Sequence, residues 1–462
     1  MPSPFHGIDL TSNALRSFQR ALDVTGHNIA NVNTPGYTRQ TVQFADTEPS
    51  LFYQGGVYSL GNGVRISSID RIRDNFLAQR SLGAASDTGK FSTMANSMSN
   101  IQTLFAEPGG SGISDAMDKF FGAWSSLSAD PTEPSAKMQV QQAGSTLASR
   151  VQNTYMSLKD QLQNTSDTIT STLKQVSDLS KQIADLNGQI RQKQAEGATP
   201  NDLMDQRDQA LQTLGGIVNV TTYPQTDGSV NVFMGNLTLV DSAGAVATPM
   251  TYNTATNQIS DSTGTYDVGS GSLRGLFESA EQIKTYQGNL DTLANTLRTT
   301  VNSIHMTGTN SLGNTGVKFF NDVTPPATQT GAIDFALDPA VAANPQAIAT
   351  SATGAAGDGG LALSISQLQD QPNAALGNVT FARYFANVVS DVGSQTNYWQ
   401  NQSTTQQAVT DQINQQIQSV SGVSLDDEMS NMLKFQRSYQ AAAKALSIFD
   451  QVTQDLINMV QP

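Results

Sequence analysis

The spacing of the apolar residues constrains this fold more than any other feature. They recur in steps of three and four over five long stretches, and each stretch specifies a helix with one narrow seam rather than the broad face of a globular helix. The first seam runs Ile8, Thr11, Leu15, Phe18, Leu22, Thr25, Ile29, Val32. The last runs Leu425, Glu428, Met432, Phe435, Tyr439, Ala442, Leu446, Phe449, Thr453, Leu456, Val460. An isolated helix with so narrow a seam is marginal, even at ~25 to 35 residues. The two terminal seams are therefore expected to pair as a coiled coil and to draw further partners from identical neighbours.

Between them lie three longer helical patterns. The longest, from Val151 through Leu158, Ile169, Val176 and Ile183 to Ile190, predicts a helix on the order of 60 Å long. A second runs from Leu273 to Ile304, and a third from Phe381 to Val420 with Gln395, Gln402, Gln406 and Gln416 on its seam. Ser114 is an expected N-cap for a helix carrying Met117, Phe120, Phe121 and Trp124, an aromatic group read as core. Asn201 is expected to cap a shorter helix after Gly197 and Pro200. In that helix Asp202, Asp205 and Asp208 share a face, which reads as a solvated acidic first turn rather than a metal site, because carboxylates are favoured at a helix N-terminus and calcium loops have another spacing.

From Gly215 to Gly271 the period changes to two. Val218, Val220 and Thr222 alternate, as do Val230, Val232 and Met234, with the turn Asp227-Gly228 between them. Further short strands are expected at 237–240 and 265–268, and again at Phe319-Phe320 and 333–337. The resulting fold class is mainly α with a small inserted β domain, the N- and C-terminal helices paired as a coiled coil and a long-helix bundle as the middle domain. The expected boundaries are 1–40 plus 425–462 for the terminal pair, 41–216 plus 272–424 for the middle domain, and 217–271 for the β insert.

The punctuation after the first seam is unusually dense: Asn28, Asn31, Asn33, Thr34, Pro35, Gly36, Tyr37. Pro35 removes a backbone donor and pushes Thr34 to extended geometry, so the helix must end before it. Pro35-Gly36 suits the centre of a type II turn, and Asn31 and Asn33 can bond the groups freed at the helix end.

Chemistry is sparse. The chain has no cysteine, which excludes disulfides and thiolate chemistry, and its three histidines are not paired at ligand or triad spacing. A net charge of −14 argues against nucleic acid or an anionic membrane as the main partner. No apolar run reaches the ~18 residues of a membrane span, and the N-terminus has neither the basic start nor the apolar centre of a secretory signal. The acidic group Asp426-Asp427-Glu428 after Ser424 reads as a helix cap. No catalytic, cofactor-binding or metal residue is expected, and these features alone would place the chain in the cytoplasm.

The segment from Asn28 to Tyr37 resembles the N-terminal signature of bacterial flagellar rod, hook and hook-associated proteins. Its continuation Tyr37-Thr38-Arg39-Gln40 is similar to the hook-associated group that forms the first hook–filament junction. Gly63-Val64 leading to Asp70-Arg71, the run from Asn201 to Asp208, Asp227-Gly228-Ser229-Val230, and Ser421 to Glu428 with Gln436 and Tyr439-Gln440-Ala441 carry the likeness to the C-terminus. The resemblance implies a structural protein, exported unfolded by the flagellar type III apparatus without a cleaved signal, and it replaces the cytoplasmic expectation. It implies self-association in a helical axial assembly outside the cell, contact with the hook protein, with a second junction protein and with the filament, and a cytoplasmic export chaperone on the C-terminal region before export. The alternatives are the hook protein, disfavoured by residues 38–40 and 201–208, and an exported enzyme or adhesin.

Overall fold

A computed structural model describes residues 5–53, 57–105, 112–244, 246, 249–262, 264–322 and 331–460. Helix α1 (His6–Ala30) leads into a two-stranded ribbon, β1 (Gln40–Asp46) with β4 (Val64–Arg71), which encloses the hairpin β2 (Ser50–Tyr53) and β3 (Val57–Leu60). The ribbon is antiparallel with a bulge between Gln43 and Phe44. It lies along α1, where Ser17 Oγ donates to the Val64 carbonyl and Leu10 packs on Gly63.

The body follows. Helices α2 (Asn75–Phe105), α3 (Ile113–Ala129), α4 (Pro134–Ala195) and α5 (Asn201–Ile217) precede the strands β5 (Thr221–Pro224), β6 (Val230–Met234), β7 (Leu237–Val240), β8 (Thr251–Asn253), β9 (Gln258–Ser260) and β10 (Thr265–Tyr266). Then come α6 (Ser272–His305), β11 (Thr309–Asn310), α7 (Pro339–Ala343), β12 (Ala349–Ser351), α8 (Gly360–Ser366), α9 (Phe381–Ser421) and α10 (Leu425–Val460). At 62 residues α4 is much longer than its apolar seam. It spans about 93 Å, because Glu133 accepts from the Ser135 amide as N-cap and Pro134 takes the first turn, where no donor is needed.

Helix α2 is central. It pairs antiparallel with α9, as the contacts Thr88 with Thr410 and Phe105 with Phe385 establish, and it runs beside α6, where Ser97 and Ser279 share a hydrogen bond. Two buried clusters fill the body. The first gathers Phe120, Phe121 and Trp124 of α3 with Phe319, Phe320, Phe335 and parts of α2, α4, α6, α8 and α9. The second joins Ile169, Val176 and Ile183 of α4 to Leu211 and Leu214 of α5, to Val230, Val232 and Met234 of β6, and to Leu273 and Phe277 of α6. The strands between 217 and 271 thus share their core with four helices, since Leu82 of α2 also belongs to this cluster. Neither cluster includes a residue of α1 or α10.

Several local expectations need correction. Ser114 sits inside α3, whose N-cap is Gly112, and Asn201 begins α5 behind a Pro200 cap; the side chain of Asn201 points to the ribbon instead. Phe319-Phe320 and 333–337 form no strand beyond one bridge between Phe320 and Leu337. Packing of their aromatic rings, not a sheet, buries them.

His305 is fully buried against Trp124 and Phe319, with Nδ1 on the Val317 carbonyl at 2.8 Å and Nε2 accepting from the Ala349 amide at 2.9 Å. Burial pushes its pKa down to about 4. The folded state therefore resists protonation, and stability present above the unfolded value near 6.5 is lost as pH falls toward 4. We expect this group to contribute about 3 kcal/mol to the loss between pH 7 and 4. Urea unfolding followed by Trp124 fluorescence in wild type and His305→Gln should show that share of the pH slope missing in the variant; equal slopes would contradict the assignment.

Candidate functional site

Four pieces of chain meet where α1 ends: the turn 31–37, the crossover 38–40, the start of α5 and the start of α10. The turn is built from its own sequence. Asn31 donates to the His27 carbonyl through both its amide and its side chain, at 3.1 and 3.0 Å, and Thr34 Oγ1 donates to Asn31 Oδ1 at 3.1 Å. The Tyr37 amide closes a turn on the Thr34 carbonyl at 3.2 Å, with Gly36 at φ +78° as a type II turn requires. A Cβ at Gly36 would also stand 2.6 Å from Gln209 Oε1, so the glycine lets the turn rest on α5.

Inside this turn sits Asn28, 1% exposed, with its whole side-chain amide used. Nδ2 donates to the Gln40 carbonyl at 2.9 Å and to Glu428 Oε2 at 3.1 Å. Oδ1 accepts from the Gln40 amide at 3.0 Å and from the Tyr37 hydroxyl at 2.7 Å. One side chain therefore ties the end of α1 to the first residue of β1 and to the first turn of α10. Glu428 is only 3% exposed, and Arg39 approaches its other oxygen at 3.9 Å. The Arg39 amide also donates to the Ser421 carbonyl at 2.9 Å, so the outgoing and returning chains are stitched side by side. Burial, reinforced by Asp202, Asp205 and Glu428, holds the Tyr37 hydroxyl far above its ordinary pKa, so it serves as a neutral donor.

The acidic turn of α5 differs from its expected role as a solvated face. The crossover lies across it and buries Asp205, which accepts from the Thr38 amide at 3.0 Å, from the Thr38 hydroxyl, and from Arg71 Nη1 at 2.6 Å. Asp208 takes Arg71 and Arg73, each at 2.9 Å. Only Asp202 stays open, accepting from Gln40 Nε2 at 3.0 Å. Asn201 Nδ2 donates to the Ile69 carbonyl at 2.8 Å. Arg207, pushed down to about 10 by burial, bonds Asn187 Oδ1 and the Gly228 carbonyl, and joins α5 to α4 and to the β5–β6 hairpin. Asp426-Asp427-Glu428 likewise does more than cap: Ser424 Oγ accepts from the Asp427 amide, but Glu428 belongs to the joint. Among the described residues no group of acidic and histidine side chains could hold a metal ion.

The apolar seam residues occupy flanks. In α1 the fully covered positions are Thr11, Ser17, Ala21, Thr25 and Asn28, small enough for close approach, while Ile8, Leu15, Phe18, Leu22 and Ile29 are half-buried beside them. Val32 lies past the helix end, half-buried in the turn, and Asn33, Thr34, Pro35 and Gly36 are exposed. In α10 Glu428 and Thr453 are buried, Met432, Phe435, Ala442 and Leu446 half-buried, and Leu425, Tyr439, Phe449 and Leu456 exposed. The side chain of Val460 lies outside the described residues. The helices run antiparallel: Phe449 covers Gly7 at one end, Glu428 meets Asn28 at the other, and Phe18, Phe44 and Phe435 touch in series between. Sequence reasoning missed Arg71, Arg73, Asn187 and Arg207 as parts of the joint. The available signal was an Arg-x-Arg pair at the end of β4 and just past it, matching aspartates three apart on a helix face.

Two substitutions separate the joint from its surroundings. Asp205→Ala leaves the Thr38 amide and hydroxyl without their acceptor and Arg71 with only Asp208, and should cost about 2–3 kcal/mol, whereas Asp202→Ala, at an open position, should cost under about 1 kcal/mol; urea unfolding of each variant checks the contrast. In a double-mutant cycle, Asn28→Ala and Glu428→Ala should couple by about 1–3 kcal/mol. Strict additivity would show that the amide and carboxylate do not act together.

Residues 98–320 match the family described as the flagellar hook-associated protein FlgK helical domain. Residues 8–38 match the flagella basal body rod protein family, and 414–459 match the C-terminal family of the flagellar basal body rod FlgEFG proteins. The chain is 28% identical to flagellar hook-associated protein 1 of Bacillus subtilis over 99% of both chains. It is also 28% identical to the protein of that name from Salmonella typhimurium, over 98% of this chain and 99% of the other. The solved structure of the flagellar hook junction protein FlgK from Burkholderia pseudomallei shares the fold, with a TM-score of 0.64 at 18% identity over 74% of this chain and 100% of that one. Full-length similarity, both terminal rod-type helices and the helical body between them converge on one likeness: the chain is similar from end to end to flagellar hook-associated protein 1, and its flagellar rod-type and hook-associated domains support a structural role in the bacterial flagellum.

Proposed function

We propose that this chain forms a junction between flagellar hook and filament by packing its α1–α10 pair against the same pair of neighbouring copies. The observation that carries this reading is the uncovered face of α10. Met429 and Leu433 near its start are 51% and 53% exposed, and Ile448, Val452 and Met459 near its end are also open to solvent. A monomeric protein does not gain from so much apolar surface on one helix; a polymer does. In this reading residues 1–40 and 425–462 form an inner-tube domain, 41–216 and 272–424 a supporting body, and 217–271 an outward lobe. The seam residues from Ile8 to Val32 and from Leu425 to Val460 are assembly contacts, partly within the chain and partly between copies.

The partners we assign are further copies of the chain, the hook protein on one side, and a second junction protein leading to the filament on the other. Before export through the flagellar type III apparatus, without a cleaved signal, a cytoplasmic chaperone would cover the exposed face of α10. No helix among the described residues is long and apolar enough to cross a membrane. The role is mechanical, with no cofactor and no catalytic step.

Leu433→Glu should leave monomer stability within about 0.5 kcal/mol, as an exposed substitution does, yet sharply reduce the number of subunits found in isolated flagella. Burial worth ~1.5–3 kcal/mol for a large side chain is realised only in the polymer. Deleting 425–462 should leave a soluble body with a cooperative unfolding transition, because neither core cluster uses α10; filaments of normal length on such cells would refute the proposed role.

A further inference from the structure

The grooves flanking the joint are not explained by pairing of terminal helices. One of about 540 Å³ lies between the turn 31–37 and the α4–α5 hairpin. Its walls are Pro35, Leu179, Ala210 and Thr213, and Asp202 stands on its rim. The Asp202 side chain is 62% exposed; one oxygen accepts from Gln40 Nε2 and the other lies 3.9 Å from His27 Nε2, at the solvent edge of the groove. Asp205 also lines the groove but is paired with Arg71, and no lysine or arginine lines it. Pro35, Leu179 and Ala210 form a small apolar patch between Gln182 and Gln206, with Asp202 at the edge.

The complementary feature is on the other side of the Gly36–Gln209 contact, at the start of α2. Phe76 is 68% exposed, more than any other described aromatic residue. The Arg80 guanidinium stands 5.7 Å from the centre of its ring, one helical turn on, and has no carboxylate within ion-pair distance among the described residues. An exposed phenyl ring under an arginine is costly to leave in water and geometrically ready for a site that offers an apolar cavity and a carboxylate. Gly36 and Gln209 border both the groove and the start of α2 at Asn75, Leu77 and Ala78, and neither Phe76 nor Arg80 lines the groove, so knob and socket occupy separate surfaces near one turn. A knob and a socket on different surfaces of one chain make a head-to-tail contact, the kind that generates rings or helices rather than closed pairs.

We propose that Phe76 and Arg80 of one copy dock into the groove between turn 31–37 and α4–α5 of the next, with the ring between Leu179 and Ala210 and the guanidinium on Asp202. The inference rests on self-assembly of the chain and adds a second, lateral contact between bodies, outside the terminal helices. It also gives the turn 31–37 a task beyond redirecting the chain, since its exposed Pro35 becomes one wall of the socket.

The absence of native cysteine allows a direct test with the full-length chain, expressed in cells that lack their own copy. Phe76→Cys combined with Thr213→Cys should give a ladder of disulfide-linked multimers in isolated flagella after mild oxidation, and neither single variant should exceed dimers. Separately, Arg80→Glu and Asp202→Lys should each lower subunit incorporation at least fivefold, with monomer melting unchanged in the first and lowered in the second no further than in a non-assembling Asp202→Ala control, and the double variant should return to within twofold of wild type. Incorporated double-cysteine subunits without a ladder, or a charge-exchanged variant no better than the worse single one, would overturn the docking proposal while leaving self-assembly intact. Absence of the unaltered chain from flagella would instead remove the reading on which the proposal rests.

Discussion

One buried amide holds the ends of this protein to its middle. Asn28 uses both donors and both acceptors, and its partners belong to three segments: the turn at Tyr37, the backbone of Gln40 at the start of the ribbon, and Glu428, four hundred residues later. A buried polar group that loses a partner costs more than the bond contributed, so such a site specifies one arrangement and penalises near alternatives. The identity of the residue matters. An aspartate would place a second negative charge against Glu428, and an aliphatic side chain would orphan the Gln40 amide.

Everything outward of that amide depends on polar geometry, and everything inward on apolar packing. The two core clusters of the body are complete without α1 or α10. The terminal pair, in contrast, covers mainly small residues along α1 and leaves large ones open along α10. Such a pair has a defined direction and register, set by the Asn28–Glu428 end and the Gly7–Phe449 end, but little surplus stability of its own. That combination suits the proposed role, in which the terminal helices are held ready in orientation and become fully buried by neighbouring copies. The Asp205–Arg71–Asp208 cluster completes the linkage by fastening the crossover to the body.

Much of this was legible in the chain, for physical reasons. Steps of three and four located the long helices, and Pro35-Gly36 located the turn, because helix periodicity and φ constraints act locally. The family likeness was equally local, carried by Asn28 to Gln40. The tertiary work of polar residues was not legible. Asp205 looked like an exposed first-turn acid, and became buried only because Thr38 and Arg71, 167 and 134 residues away, lie over it. Glu428 looked like a cap for the same reason. The close contacts of α1 fall on the two threonines of its seam, Thr11 and Thr25, and on Ser17 and Ala21 beside it, since small side chains permit the nearer approach and flanking apolar ones close over the edge. Phe319 and Phe320, read as strand, were claimed by an aromatic cluster that no local pattern announces.

The division between a self-sufficient body and an unfinished terminal pair is most directly tested by amide hydrogen exchange on the free chain and on isolated flagella. In the free chain, amides of α1 and α10 should exchange at least a hundredfold faster than those of α2 and α6, and in flagella they should slow to the rate of the body. Terminal helices already as protected as the body in the free chain, or unchanged on assembly, would contradict the division on which this structural interpretation stands.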